Sequence, residues 1–317
     1  MTSDDTKELR DTMRSFFTEQ APVRSQLADE PSIWKRVATE LGLTGLAVPE
    51  AQGGSGATFA DLAVVLEEAG RSLLRAPLLS TAVAAVVLAD AGADDLLPGL
   101  LDGSGSAAFV TAADSPVADA AGSTLLLVAT SDVLHAVETA AVSVTPLEAM
   151  DPTRPLARVQ LGSASGRALG PSAYAIDILH VALAAESVGA ARRVLEMTVD
   201  YLKVREQFGR PLGSFQALRH RIADLTVELD AATSTAWYAA RAAANRAPDL
   251  SVVAPLAKAV AQDAFTHIAG EAIQLHGGIG FTWEHDAHLY FKRAWTTALL
   301  HGDSRTLRRT AFARAGM

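Results

Sequence analysis

The sequence predicts a mostly α-helical protein with a small β region in its middle, and two changes of hydrophobic period carry that reading. Apolar residues recur at helical spacing in Leu62, Val65, Leu66 and Ala69, and again from Ile178 through Val181, Ala182, Ala185, Val188, Leu195, Val199 and Leu202. Between them, from Gly103 to Gly166, the chain breaks into short β-prone runs punctuated by Gly, Asp, Ser and Pro. Three regions follow: an N-terminal helical domain over 1–103, a reduced β domain over 104–169 and a C-terminal four-helix bundle over 170–317.

Taken in order, residues 1–103 read as helices interrupted by a loop at Pro49–Thr58. Asp61 is the expected N-cap of the helix that follows, with Glu67, Glu68 and Arg71 on its polar face and Gly70 near its end. The β-prone runs are 107–111, 124–128, 141–145 and 157–161, with Asp151-Pro-Thr-Arg-Pro155 as a loop or turn before the last. After Gly170-Pro171 one long amphipathic helix is expected, then helices at about 215–246, 252–276 and 287–300, arranged up and down. Many alanines and few aromatic residues point to closely packed helices. Broad apolar faces on the bundle mark it as the expected oligomer interface.

Composition narrows the function classes. The formal charge is −9 and the isoelectric point about 5.4, which argues against nucleic acid or an anionic membrane as partner. The absence of cysteine excludes disulfides, thiolate catalysis and cysteine-held metals, and fits a reducing compartment. The acidic start Met1-Thr-Ser-Asp-Asp-Thr-Lys-Glu is unlike a secretory signal, and the apolar stretch around 76–89 is too short to span a bilayer. A cytoplasmic protein is expected.

The chemistry concentrates in two segments, Tyr201-Leu-Lys-Val-Arg-Glu-Gln-Phe-Gly-Arg-Pro-Leu-Gly-Ser-Phe-Gln216 and Gln274-Leu-His-Gly-Gly-Ile-Gly280. Each ends a helical run and sets a polar side chain before a glycine turn. The planar fork of Arg205 suits a pyrophosphate, and Gly277 and Gly278 allow close backbone approach to a ligand. There is no strand-turn-helix glycine fingerprint. An ion pair of Arg205 with Asp200 or Glu206, and a simple helix cap at Gly277-Gly278, are the structural alternatives. Phe208 is expected in the core. His276, His285 and His288 lack metal-ligand spacing and are expected as surface or interhelical residues.

These segments resemble the acyl-CoA dehydrogenase family, flavoenzymes that oxidise acyl-CoA thioesters to enoyl-CoAs. Leu41-Gly-Leu-Thr-Gly-Leu-Ala-Val-Pro-Glu50 with Gly53-Gly54, then Asp61–Arg71, are similar to the family's first helical domain. Phe281-Thr-Trp-Glu-His-Asp-Ala-His-Leu-Tyr-Phe-Lys-Arg293 is similar to its last. The resemblance implies FAD, held by Arg205, Gln207, Phe208, Gln274, Gly277 and Gly278, and an acyl-CoA substrate. It also implies a glutamate base, desolvated so that its pKa approaches that of the acid it attacks.

Neither of the family's two base positions carries a carboxylate here. In Leu299-Leu-His-Gly-Asp-Ser304, His301 stands in the first, with Asp303 two residues on, and Leu179, beside His180, falls at the second. Glu186 lies about two helical turns further along and reads as a packing or interhelical hydrogen-bonding residue. The family's flavin-ring segments correspond to Phe109-Val-Thr-Ala-Ala-Asp-Ser-Pro-Val117 in a shortened domain, so the ring platform is expected to be incomplete. This resembles the short subunit of heteromeric actinobacterial acyl-CoA dehydrogenases, some acting in steroid degradation, as do Asp151–Arg158 and Trp283–Asp286. It implies a larger catalytic partner in an α2β2 heterotetramer. Two other readings are a self-sufficient enzyme with His301 as base and a flavin-free structural or regulatory homologue.

Overall fold

The computed structural model describes residues 3–28, 32–113, 115–130 and 132–316. Met1 and Thr2 of the N-terminal segment, and Asp114 of the 109–117 run, lie outside them. The first helices are α1 (Ser3–Gln20), α2 (Ser32–Lys35), which runs into a π-helical turn (Arg36–Glu40), α3 (Phe59–Arg71), α4 (Leu78–Asp90) and α5 (Pro98–Leu101). Strands β1 (Ala107–Val110), β2 (Val117–Ala118), β3 (Leu125–Thr130), β4 (Val133–Glu138), β5 (Ser143–Leu147), β6 (Leu156–Gln160) and β7 (Arg167–Pro171) follow. The C-terminal part holds α6 (Ala173–Val204), the hairpin β8 (Glu206–Gln207) and β9 (Arg210–Pro211), then α7 (Gln216–Ala244), α8 (Leu250–His276), α9 (Ala287–Leu299) and α10 (Ser304–Arg314).

The β region forms two sheets, one in the order β1-β3-β4-β7 with β1 parallel to β3, the other an antiparallel β2-β6-β5. Side chains alternate along a strand. Ala107, Phe109, Leu125 and Leu127 therefore join the main helical core, while Ala108, Val110, Leu126 and Val128 face a second cluster with Val117 and Ala157 of the other sheet. Burial on both faces explains the unbroken apolar run in β3. Strands β2, β4 and β7 were not expected from the sequence. β4 pairs with β3 across a very tight connection, Thr130 opposite Val133, too short to register as a separate run. β7 continues to Pro171, through the expected 169/170 boundary.

Three local expectations need correction. The N-cap of α3 is Thr58, not Asp61: Thr58 is extended and its Oγ1 accepts from the Asp61 amide, while Asp61 Oδ2 accepts from the Thr58 amide at 2.9 Å, a reciprocal capping box. Glu67 and Glu68 are buried rather than solvated, because α1 covers that face and supplies Arg10 and Arg14 as partners. The loop at 151–155 also turns inward, with Asp151, Thr153 and Arg154 all buried. Helix α10 lies beyond the four expected helices, and it and α9 both pack on α8 beside the long α6 and α7. By length and composition α6 could cross a bilayer, but 83% of its most apolar window is buried within the protein, as befits a core helix.

Glycine sets how closely α3 and α6 cross. A Cβ on Gly189 would lie 1.8 Å from the Glu67 carbonyl oxygen, and one on Gly70 would lie 2.1 Å from that of Glu186. Each helix thus presents a glycine to the other's backbone, and neither obstacle is a movable side chain. Gly189→Ala is expected to destabilise the fold by about 1–3 kcal/mol, measured as a lower urea midpoint at unchanged m-value. A variant as stable as the parent would show that the crossing can spread without cost.

Candidate functional site

The two glycine-containing segments come to one end of the bundle. Tyr201, in the last turn of α6, packs on His276, the last residue of α8, with ring centroids 4.5 Å apart, and His276 packs on His285 at 4.2 Å. Arg205 caps α6 through its amide to the Tyr201 carbonyl, and its own carbonyl accepts from Leu212. In the hairpin between β8 and β9, Phe208 (φ 54°) and Gly209 (φ 77°) both turn left-handed, as a tight hairpin twist requires. That turn projects Phe208 outward. It is 91% exposed, edge-on to Phe215, and not part of the core as the sequence suggested.

Arg205, Gln207, Gln274, Gly277 and Gly278 are all exposed here. The alternative pairing of Arg205 with Asp200 or Glu206 does not form: Asp200 pairs with Lys203, and among the described residues the Arg205 guanidinium has no ion pair or hydrogen bond. The Gln207 amide donates to the Glu206 carbonyl. Gly277 takes φ 64° and ψ −144°, a conformation that only glycine adopts readily, and a Cβ on Gly278 would meet nothing within 4 Å. His276 is buried with its Nδ1 against the Ala272 carbonyl, and His288 is buried beside Trp283. Among the described residues no three histidine or acidic side chains gather as metal ligands.

The second cluster surrounds the loop between α9 and α10. His301 takes a left-handed backbone (φ 56°), and its carbonyl accepts from His180 Nε2 at 3.1 Å. The Gly302 carbonyl accepts from Lys258 Nζ at 2.9 Å, and Lys258, which is fully buried, also donates to Gln262 Oε1. Helices α6 and α8 therefore hold adjacent carbonyls of this loop. The His301 ring bonds Thr111, just past β1, through Nδ1 at 2.9 Å. Burial first, and the Lys258 charge next, push both His301 and His180 down to about 3. An imidazole so placed is neutral and a weak proton acceptor. Burial, then Arg154, lowers Lys258 to about 7. Asp303 caps α10, and hydrogen bonds from Thr306 hold its carboxyl below the usual range.

Behind His301, Leu179 is buried and Glu186 pairs with Arg154 and, at 3.4 Å, with Arg293. Arg293 is 1% exposed and also donates to the carbonyls of Leu73 and Thr153. His301 and Phe109 line both a small cavity of about 30 Å³ on the Glu186 side and a larger one of about 500 Å³ that also touches Thr111, Ser115 and Pro116. Sequence reasoning missed Lys258, Arg154 and Arg293. A signal existed for Lys258, since it falls on the buried helical stripe of Ala254, Ala257, Ala261 and Phe265. The arginines lie in the Asp151–Arg158 and Phe281–Arg293 segments that carried the resemblance, but their role was hidden because their partners come from distant segments.

The family's C-terminal domain model matches residues 173–316, and its N-terminal domain model matches residues 3–103. The chain belongs to the acyl-CoA dehydrogenase family. It is 42% identical over 312 residues to acyl-CoA dehydrogenase IpdE2 of Mycobacterium tuberculosis, covering 95% of this chain and 94% of that protein. It is 41% identical over 295 residues to acyl-CoA dehydrogenase FadE34 of the same organism, covering 87% of this chain but 41% of FadE34. Among solved structures, a variant of the Tcur3481-Tcur3483 steroid ACAD superposes with a TM-score of 0.89 at 30% identity, covering 99% of this chain and 98% of that one. The ChsE4-ChsE5 complex from Mycobacterium tuberculosis, at 21% identity and a TM-score of 0.87 over 100% of this chain and 98% of that one, shares the fold. In this acyl-CoA dehydrogenase family member His301 is held neutral and Leu179 is buried and apolar.

Buried His180 and half-buried His301 make a pH prediction with a definite sign. Their pKa values fall from 6.5 to about 3 on folding, so the unfolded chain binds more protons between those limits. Their contribution is fully present above pH 6.5 and is lost as pH falls towards 3. Asp177, raised to about 6 by burial, acts oppositely between about pH 4 and 6. Comparison with a variant cancels that background. The stability advantage of the parent over His301→Asn is expected to shrink below pH 6.5 with a slope of at most about 1.4 kcal/mol per pH unit. Asparagine suits the left-handed backbone at this position. Urea titrations at pH 7, 5.5 and 4.5 measure it, and a constant difference would mean that His301 is not held neutral.

Proposed function

We propose that this chain is a subunit of an FAD-dependent acyl-CoA dehydrogenase and supplies the FAD pyrophosphate and adenosine contacts to a larger catalytic partner. The observation carrying this reading is a separation of two surfaces. The cofactor-type segments with unpaired Arg205 lie open at one end of the bundle, while the base positions hold His301, tied to Thr111, and Leu179. An exposed guanidinium with no partner among the described residues, at the same end of the bundle as Gly277 and Gly278, fits a pyrophosphate arriving from a neighbouring subunit. Arg205 would take the phosphates, Gln207 and Gln274 would add polar contacts, and Gly277 and Gly278 would admit close approach. FAD, when bound, supplies the hydride acceptor for α,β-dehydrogenation of an acyl-CoA thioester.

In this reading the partner contributes the carboxylate base and the ring platform, the two subunits assemble as an α2β2 heterotetramer through the bundle, and regions 1–103, 104–169 and 170–317 act as domains. The protein is cytoplasmic. The similarity to the Tcur3481-Tcur3483 steroid ACAD supports both a two-chain enzyme and a bulky, steroid-type acyl group.

The test is co-expression with the candidate partner and measurement of bound flavin. Hydrogen bonds to charged groups contribute about 1.5–3 kcal/mol. Arg205→Ala is therefore expected to weaken FAD binding in the complex by more than about tenfold, with Arg205→Lys recovering part of it because an ammonium lacks the paired geometry. Excess FAD is expected to restore much of the turnover, and His301→Asn to leave flavin content and rate near those of the parent. Stoichiometric FAD and dehydrogenase activity in the single purified chain would refute the subunit reading.

A further inference from the structure

We infer that the cleft of about 340 Å³ where α1 meets α3, α6 and α9 is a binding site for a small organic anion, a carboxylate carried on a short apolar body. Its volume falls within the range of about 300–1,000 Å³ typical of small-molecule sites. Phe17, Pro22, Val23 and Met197 give its wall hydrocarbon, and Arg14, Arg71 and Arg193 give it guanidinium groups. None of its lining residues belongs to the Arg205 or Gln274 segments or to the 109–117 run, and Arg193 precedes Arg205 by about 18 Å along α6. The site does not depend on which subunit holds the flavin pyrophosphate.

Charge balance selects the ligand class. The carboxylates of the wall are already matched: buried Glu68 meets Arg10 at 3.1 Å, Arg14 at 2.9 Å and Arg71 at 3.3 Å, and Asp286 meets Arg24 at 2.6 Å. The arginines are not. Arg71 takes both oxygens of Glu196, at 3.0 and 2.6 Å, so the only ion pair of Arg193 among the described residues is a 4.0 Å contact to that same carboxylate. The Tyr290 hydroxyl beside Arg193 already donates to the Arg71 carbonyl. Arg14 holds Glu68 through Nε and Nη2, which leaves Nη1 available. Arg10, Arg14, Arg24, Arg71 and Arg193 thus face only Glu68, Glu196 and Asp286; Glu67, which shares Arg10, is itself met by Arg192 at 3.6 Å. This positive surplus stands in a chain of formal charge −9. The side chains of Arg14 and Arg193 are 40% and 43% exposed, so both can turn donors to a ligand while the buried pairs stay intact. A carboxylate can accept from two guanidinium groups at once, and the hydrocarbon of the wall favours an apolar body behind it. An ammonium would face the surplus with the wrong sign.

The test uses the full chain in isothermal titration at low salt, with octanoate, 1-octanol, octylammonium and inorganic phosphate as probes. Saturable binding of octanoate is expected, at least about tenfold tighter than octanol, because hydrogen bonds to a charged group are the stronger ones. Octylammonium and phosphate should bind more weakly still. Arg193→Gln, at a half-exposed position with one long ion pair, should bring octanoate down to the level of octanol. Thr18→Trp, at an exposed position of the wall, should weaken octanoate and octanol alike by filling the cleft, with every arginine left in place. Octanoate binding that neither variant weakens would overturn the inference, as would tighter binding of octanol or octylammonium. So would displacement of octanoate by equal phosphate or FAD, which would give the cleft to a bare anion or to the cofactor.

Discussion

The backbone contact between α3 and α6 governs much of this structure. With Gly70 against Glu186 and Gly189 against Glu67, the two helices meet at a distance that no Cβ permits. That approach takes the flanking carboxylates out of water, and a buried carboxylate requires partners. Glu67 finds Arg10 at 2.9 Å and the Trp237 indole at 3.2 Å, and Glu68 finds Arg10, Arg14 and Arg71. Helix α1 is thus held against α3 by charges that the crossing itself created.

On the far side of the same crossing, Glu186 draws in Arg154 and Arg293. Arg293 joins three parts of the chain: the corner at Leu73–Leu74, the loop at Thr153 and helix α6. Removing one partner from such a network leaves an uncompensated buried charge, which costs more than the pair contributes. Glu186 is therefore occupied in a structural role, beside a cavity of only about 30 Å³.

The His301 loop shows the same economy of placement. Its left-handed backbone is a strained choice for a non-glycine residue, yet Lys258 and His180 grip its carbonyls from two helices and Thr111 holds the ring from the β region. The result is a wall between the charged interior and the larger apolar cavity. The cofactor-type segments stand apart from this wall and remain open to a neighbour.

The sequence alone determined the order of helical, β and helical regions, because hydrophobic period is a local property. It also suggested the family, through short segments such as those holding Arg205 and Gln274–Gly278, and the family models match residues 3–103 and 173–316. It missed β4, whose connection to β3 was too tight to be seen, and it misplaced Phe208, whose apolar side chain is turned outward by two successive left-handed residues. Tertiary structure alone decided that Glu67, Glu68 and Lys258 lie inside, that Glu186 is bound to Arg154 and Arg293, and that His301 is neutral. Those outcomes depend on partners far along the chain, from 32 residues for Glu186 with Arg154 to 190 for His301 with Thr111. The energy of a charge is set by what surrounds it in space, and one chain read in order does not contain that information.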